Sequence, residues 1–142
     1  MLKLEIPAYV FEQMLEQAQA QAPIEVCGIL AGNGSKVEKL YKMTNVDNSS
    51  NRFMMEPKEQ FAVVKDIRSA GLEMLAIYHS HPETPARPSA EDIRLALTAN
   101  VIYLIVSLQD ANAPAVKGFL LEDGNVAKVS VKISDSETSC DS

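Results

Sequence analysis

The 142-residue chain is 46% hydrophobic, enough apolar material for one domain core of ordinary size, and its formal charge is -6. That negative balance, without any cluster of Lys and Arg, argues against a phosphate-binding surface and predicts no nucleic-acid partner. No apolar stretch of signal-peptide length opens the chain, and the longest apolar run, Val101 to Val106, is too short to cross a bilayer, so the expectation is a cytoplasmic protein with no membrane partner.

The opening residues Leu2, Leu4 and Ile6 alternate on one face, the period of a short, half-buried strand expected at a sheet edge. After Pro7, the residues Val10, Phe11, Met14, Leu15 and Ala18 recur at helical spacing until Pro23 ends the helix. The run VCGILAG (26–32) reads as a buried strand, and the Asn33-Gly34 turn leads into a second strand over 36–46. A polar loop (47–51) and a short extended piece follow, and Pro57 then opens a second helix with Phe61, Val64 and Ile67 as its buried stripe and Gly71 as its C-terminal cap. LEMLAIYHS (72–80) is a strand, 89–100 a third helix with Ile93, Ala96 and Leu97 facing inward, and 101–108 a strand in mid-sheet. A hairpin turning at Asp123-Gly124 completes the sheet, and the last nine residues, 134–142, are expected to be disordered. The order predicts the α/β class: a mixed β-sheet flanked by helices on both sides, in a single domain spanning 1–133. Cys27 and Cys140 make a poor disulfide framework and are expected to be reduced thiols.

Both histidines stand one residue apart. His79 and His81 close a strand, and a spacing of two in extended chain turns both imidazoles to one face, a chelating arrangement. Taken alone, the pair is equally a chance placement of two exposed histidines at a strand end. Pro82, Pro85 and Pro88 then forbid a helix before Ser89 and stiffen a loop that turns the chain back toward the strand end. Ser89 and Asp92 have the spacing of a capping box, with Ser89 as N-cap, and that purely structural role stands beside a functional one. A carboxylate in the first turn of a helix facing a histidine pair can supply the third ligand of a catalytic zinc, leaving one position open.

The stretch HSHPETPARPSAED, which is His-x-His, seven residues, Ser, two residues, Asp, resembles the motif of the JAMM (MPN+) zinc metalloproteases, and PIEVCGILAG resembles that family's glutamate segment. The resemblance covers most of the chain in element order and implies the family's cytidine-deaminase-like α/β sandwich. It implies zinc on His79, His81 and Asp92, with Glu25 as general base. Without the resemblance, Glu25 would read as the solvent-facing side of a strand start. Cys27 reads as a small buried thiol without a function.

Zinc in such a ligand set lowers the pKa of a bound water from ~15.7 to about 7. Glu25 is then expected to take the water proton and pass it to the leaving amine, while the Ser89 hydroxyl donates to the developing oxyanion. The implied reaction is hydrolysis of an amide or isopeptide bond. The implied partner is a ubiquitin-like or sulfur-carrier protein with a C-terminal Gly-Gly tail, and the short chain resembles compact prokaryotic members. A non-catalytic MPN-type binding module is the alternative, and a RadC-like DNA-repair-associated protein a weaker one, since the acidic balance opposes DNA. A zinc nucleobase deaminase needs His-x-Glu and Pro-Cys-x-x-Cys, which the chain lacks.

Overall fold

The computed structural model describes residues 3–134 apart from 97, 99 and 111. In chain order the elements are β1 (Lys3–Pro7), α1 (Ala8–Gln21), β2 (Cys27–Asn33), β3 (Lys36–Met43), α2 (Pro57–Ser69), β4 (Glu73–His81), α3 (Ala90–Arg94), β5 (Ile102–Ser107), β6 (Ala115–Glu122) and β7 (Asn125–Ser134). The strands hydrogen-bond in the order β1-β3-β2-β4-β5-β6-β7 and close into a barrel. Pairing is mixed: β1 runs parallel to β3 and β7, β4 runs parallel to β5, and the remaining neighbours are antiparallel.

The period of two along each strand sorts side chains into two cores. Leu30, Tyr78 and Leu104 join Val10, Met14 and Ala18 of α1 in one. Ile29, Ile77 and Tyr103 join Ile67 of α2 in the other. Each fully buried aliphatic side chain contributes roughly 1.5–3 kcal/mol, so α1 is held by its apolar stripe rather than by capping, which its N-terminal Pro7 does not supply. Both hairpin turns form where the sequence places them, with positive φ at Gly34, Asp123 and Gly124.

Four expectations need correction. The sheet closes, and β1 is not an edge strand: it lies between β3 and β7, where closure gives its backbone partners on both sides. Phe61 is 70% exposed, because the inward stripe of α2 is Val63 and Ile67, four residues apart, which turns position 61 to the opposite side. On that exposed side the Lys65 ammonium lies 5.9 Å from the centroid of the Phe61 ring. The third helix stops at Arg94. The Thr98 N–H, which a continuing helix would give to the Arg94 carbonyl, goes to the Tyr103 hydroxyl at 3.1 Å. Ile93 and Ala96 do pack on the core, whereas Leu97 and the tail beyond Ser134 lie outside the described residues.

Behind the histidine strand, Gly28 of β2 faces Tyr78 of β4, and a Cβ at Gly28 would run into the Tyr78 ring. Tyr78 is fixed there, its hydroxyl donating to Gln17 Oε1 at 2.6 Å. Gly28→Ala is therefore expected to lower stability by about 1–3 kcal/mol through overpacking. Chemical denaturation checks this, and an unchanged midpoint would mean that the ring can move away.

Candidate active site

β4 ends at the site. Ile77, His79 and His81 alternate onto the face of the sheet that carries α2, so both imidazoles project the same way from a strand paired on both sides. After His81 the proline-containing loop turns back. The His81 Nδ1–H donates to the Pro85 carbonyl at 2.9 Å, and Ser107 Oγ donates to the Thr84 carbonyl, which pins the loop to β5. α3 then begins with a complete capping box: Asp92 N–H donates to Ser89 Oγ at 3.0 Å, and Ser89 N–H donates to Asp92 Oδ2 at 3.0 Å. The cap orients the Asp92 carboxylate toward the histidines. Its Oδ1 lies 3.2 Å from His79 Nε2 and its Oδ2 2.9 Å from His81 Nε2, and the two Nε2 atoms are 3.3 Å apart.

Three ligand atoms of metal-binding type thus converge in a buried space. Their protonation suits a cation. Burial holds His79 below its ordinary pKa, so its ring is neutral. Burial alone would raise Asp92, but hydrogen bonds from His79 and His81 and from the Ser89 amide outweigh it and hold the carboxyl well below the usual range. For His81, burial is outweighed by its bonds to Asp92 and to the Pro85 carbonyl, and its pKa is raised. His79, His81 and Asp92 would hold a cation in place of the protons shared between the imidazoles and the carboxylate, and the Pro85 carbonyl, by engaging His81 Nδ1, leaves Nε2 as the nitrogen available for it. The residues fit zinc as two nitrogen donors and one oxygen donor.

Glu25 enters from the neighbouring strand. Cys27 pairs with His79, Val26 N–H donates to Ser80 Oγ at 2.9 Å, and Ser80 N–H donates to the Val26 carbonyl at 3.0 Å. Continuing that register sets Glu25 opposite His81. The residue is only 2% exposed, and its Oε1 has no hydrogen-bond partner among the described residues. Burial pushes its pKa up from 4.5 to about 7, opposed by the His81 charge and reinforced by Asp92.

That shift has a stability consequence in the metal-free protein. Because the folded-state pKa is the higher one, the contribution of Glu25 is fully present below pH 4.5 and is lost as pH rises to about 7. Metal-free Glu25→Gln is expected to gain on wild type over that window, by up to about 3 kcal/mol at pH 8, and to match it below pH 4.5. Denaturation curves at pH 4 and pH 8 check this, and equal differences at both would show that Glu25 does not titrate with folding.

Two features beside the ligands were not legible in the sequence as site features. Phe53, read only as part of a short extended piece, stacks on His79 with ring centroids 4.7 Å apart and planes 24° from parallel. Next to it a pocket of about 260 Å³ is lined by Phe53, Met54, Leu95 and Tyr103 together with His79 and Asp92. An apolar residue in a non-periodic segment carries no sequence signal for such a role.

Residues 7–118 match the family described as prokaryotic homologs of the JAB domain. The chain belongs to this JAMM family. It is a metallopeptidase by class. The CysO-cysteine peptidase of Mycobacterium tuberculosis (strain ATCC 25618 / H37Rv) is 31% identical over 132 residues, covering 92% of this chain and 90% of that protein. The probable TtuB-protein conjugate cleaving protease of Thermus thermophilus is 34% identical over 124 residues, covering 87% and 79%. Among solved structures, protein DSY2949 from Desulfitobacterium hafniense superposes with a TM-score of 0.85 at 40% identity, covering 93% of each chain. A structure described as "JAMM: A Metalloprotease-like Zinc Site in the Proteasome and Signalosome" shares the fold, with a TM-score of 0.56 at 21% identity over 91% of this chain and 97% of that one. The JAMM fold thus accounts for the mixed sheet with its helices. No helix among the described residues is long and apolar enough to cross a membrane.

Proposed function

We propose that this JAMM protein is a zinc-dependent amidase or isopeptidase that hydrolyses an amide bond at the C-terminal Gly-Gly tail of a ubiquitin-like or sulfur-carrier protein. The observation that carries the reading is a buried carboxylate whose Oε1 has no hydrogen-bond partner among the described residues, Glu25, just before β2 and beside three converging metal-type ligand atoms. The names of its relatives support the substrate class, since they act on CysO-cysteine and on TtuB-protein conjugates.

In this reading His79, His81 and Asp92 hold the metal in a single domain spanning residues 1–133. When bound, zinc supplies Lewis acidity that makes water a usable nucleophile near neutral pH. Glu25 removes the water proton at its free oxygen and returns it to the leaving amine, which suits a carboxyl whose metal-free pKa is near 7. Ser89 Oγ accepts the Asp92 N–H in the cap and keeps its own proton to donate to the carbonyl oxygen as charge grows there. The apolar pocket beside the ligands receives substrate side chains adjoining the bond that is cut.

A carrier protein extended beyond Gly-Gly serves as the test substrate. Its cleavage is expected to stop on chelation and to return with one equivalent of zinc; cleavage that continues in chelator would contradict the proposal. Ser89→Ala separates the two roles of that hydroxyl. We expect a rate loss of about 10²–10³ with zinc retained. An unchanged rate with stability lower by about 1 kcal/mol would leave Ser89 as a helix cap alone.

A further inference from the structure

Glu25 lies just before β2, and its main chain is not held by the barrel ladder alone. Its N–H donates to the Ser49 carbonyl at 2.8 Å, and its own carbonyl accepts from the Asn45 side chain at 3.0 Å. Asn45 is buried, and all of its amide is used. Its Nδ2 also donates to the Arg52 carbonyl at 3.0 Å, and its Oδ1 accepts from the N–H groups of Asp47 and Met54, both at 3.1 Å. Four bonds exhaust the two donors and two lone pairs of an asparagine amide. The loop that Asn45 gathers is the one carrying Phe53, whose ring stacks on His79. Its base is fixed in turn to α2, because the Glu59 carboxylate accepts from both Thr44 N–H and Thr44 Oγ1 at 2.7 Å.

We infer that Asn45 is a positioning residue for the hydrolytic site, one amide setting the separation between the Glu25 backbone and the Phe53 wall of His79. The inference rests on Glu25 acting as the base. It is specific to an amide at this position. Aspartate has nearly the same shape and keeps the acceptor bonds, but it lacks the two donors and sets an anion against the carbonyls of Glu25 and Arg52. Alanine removes all four bonds and leaves the Glu25 N–H bond to the Ser49 carbonyl to tie the loop to the Glu25 segment, so the two can shift relative to one another. A displacement of about 1 Å in a group that must meet a reacting atom can cost about 100-fold in rate.

The test compares zinc-loaded wild type, Asn45→Ala and Asn45→Asp. The substrate is a recombinant sulfur-carrier protein carrying one cysteine beyond its Gly-Gly terminus. Each variant is expected to keep one zinc per chain and a KM within about twofold, while kcat falls roughly ten- to a hundred-fold. A second reading needs no substrate: in ¹³C NMR of the zinc-loaded proteins, the Glu25 carboxyl and His79 ring signals are expected to move, while those of Tyr78 on the opposite face stay. Wild-type kcat, a loss carried by KM alone, or unmoved Glu25 and His79 signals would each overturn the inference. If Asn45→Ala does not fold, Asn45→Asp and Asn45→Ser carry the same readings. Glu25→Gln runs in parallel. If it hydrolyses the substrate at the wild-type rate, the base reading fails and takes this inference with it. If it is inactive while the Asn45 variants match wild type, the positioning role alone fails.

Discussion

Asp92→Ala is expected to abolish stoichiometric zinc binding and, with it, hydrolysis. The carboxylate is the only oxygen donor among the three converging ligand atoms, and its loss leaves two imidazole nitrogens as the ligand atoms of that cluster. Two histidines fall short of the three protein ligands that catalytic zinc sites use. The same change removes one half of the capping box, so the metal-free fold is expected to lose about 1 kcal/mol as well. Asp92→Asn separates the effects, because its amide oxygen still accepts the Ser89 N–H while the charge that holds the cation is gone. Zinc content by mass spectrometry and denaturation of the metal-free proteins read the two losses independently. One zinc per chain in Asp92→Ala would remove this residue from the ligand set. Zinc affinity in the wild type is also expected to weaken as pH falls, because the raised pKa of His81 makes protons stronger competitors for its nitrogen.

Glu25→Gln is expected to keep zinc and to slow hydrolysis by about 10²–10⁴, the usual contribution of a positioned general base. The two side chains have nearly the same size, and Glu25 is not one of the three ligand atoms, so packing and metal content should survive. Its carboxylate oxygen has no other partner among the described residues, and an amide cannot take the water proton. Single-turnover rates at matched zinc content check this. Activity equal to wild type would assign proton transfer to another group.

Much of the site was legible because its parts are local. His79 and His81 share a face by strand geometry, and Ser89 and Asp92 share a helix start by capping geometry, so each pair could be read from spacing alone. The proline loop also reads as returning the second pair to the first, but adding Glu25 depends on the pairing of β2 with β4, which no local pattern states; the family resemblance supplied it. Asn45 and Phe53 stayed invisible for the same reason, since each acts through a contact across a loop. In the fold, periodicity found the strands and helices but not closure. The β1–β7 pairing joins residues more than 120 positions apart, such as Leu4 and Val131. The errors in α2 and α3 are of one kind: Phe61 lost its inward place to Val63, and the end of α3 was set by the Tyr103 hydroxyl of a later strand. In both, tertiary contacts overrode a helical pattern that was locally sound.

The central claim, hydrolysis beyond a Gly-Gly tail at a zinc site, is tested most directly by intact-mass measurement. Zinc-loaded wild type is incubated with a panel of ubiquitin-like and sulfur-carrier proteins extended beyond Gly-Gly. At least one member is expected to lose its extension and gain the mass of one water, leaving a terminus at the second glycine. A panel left intact by protein carrying one zinc per chain would contradict the claim and favour a binding module.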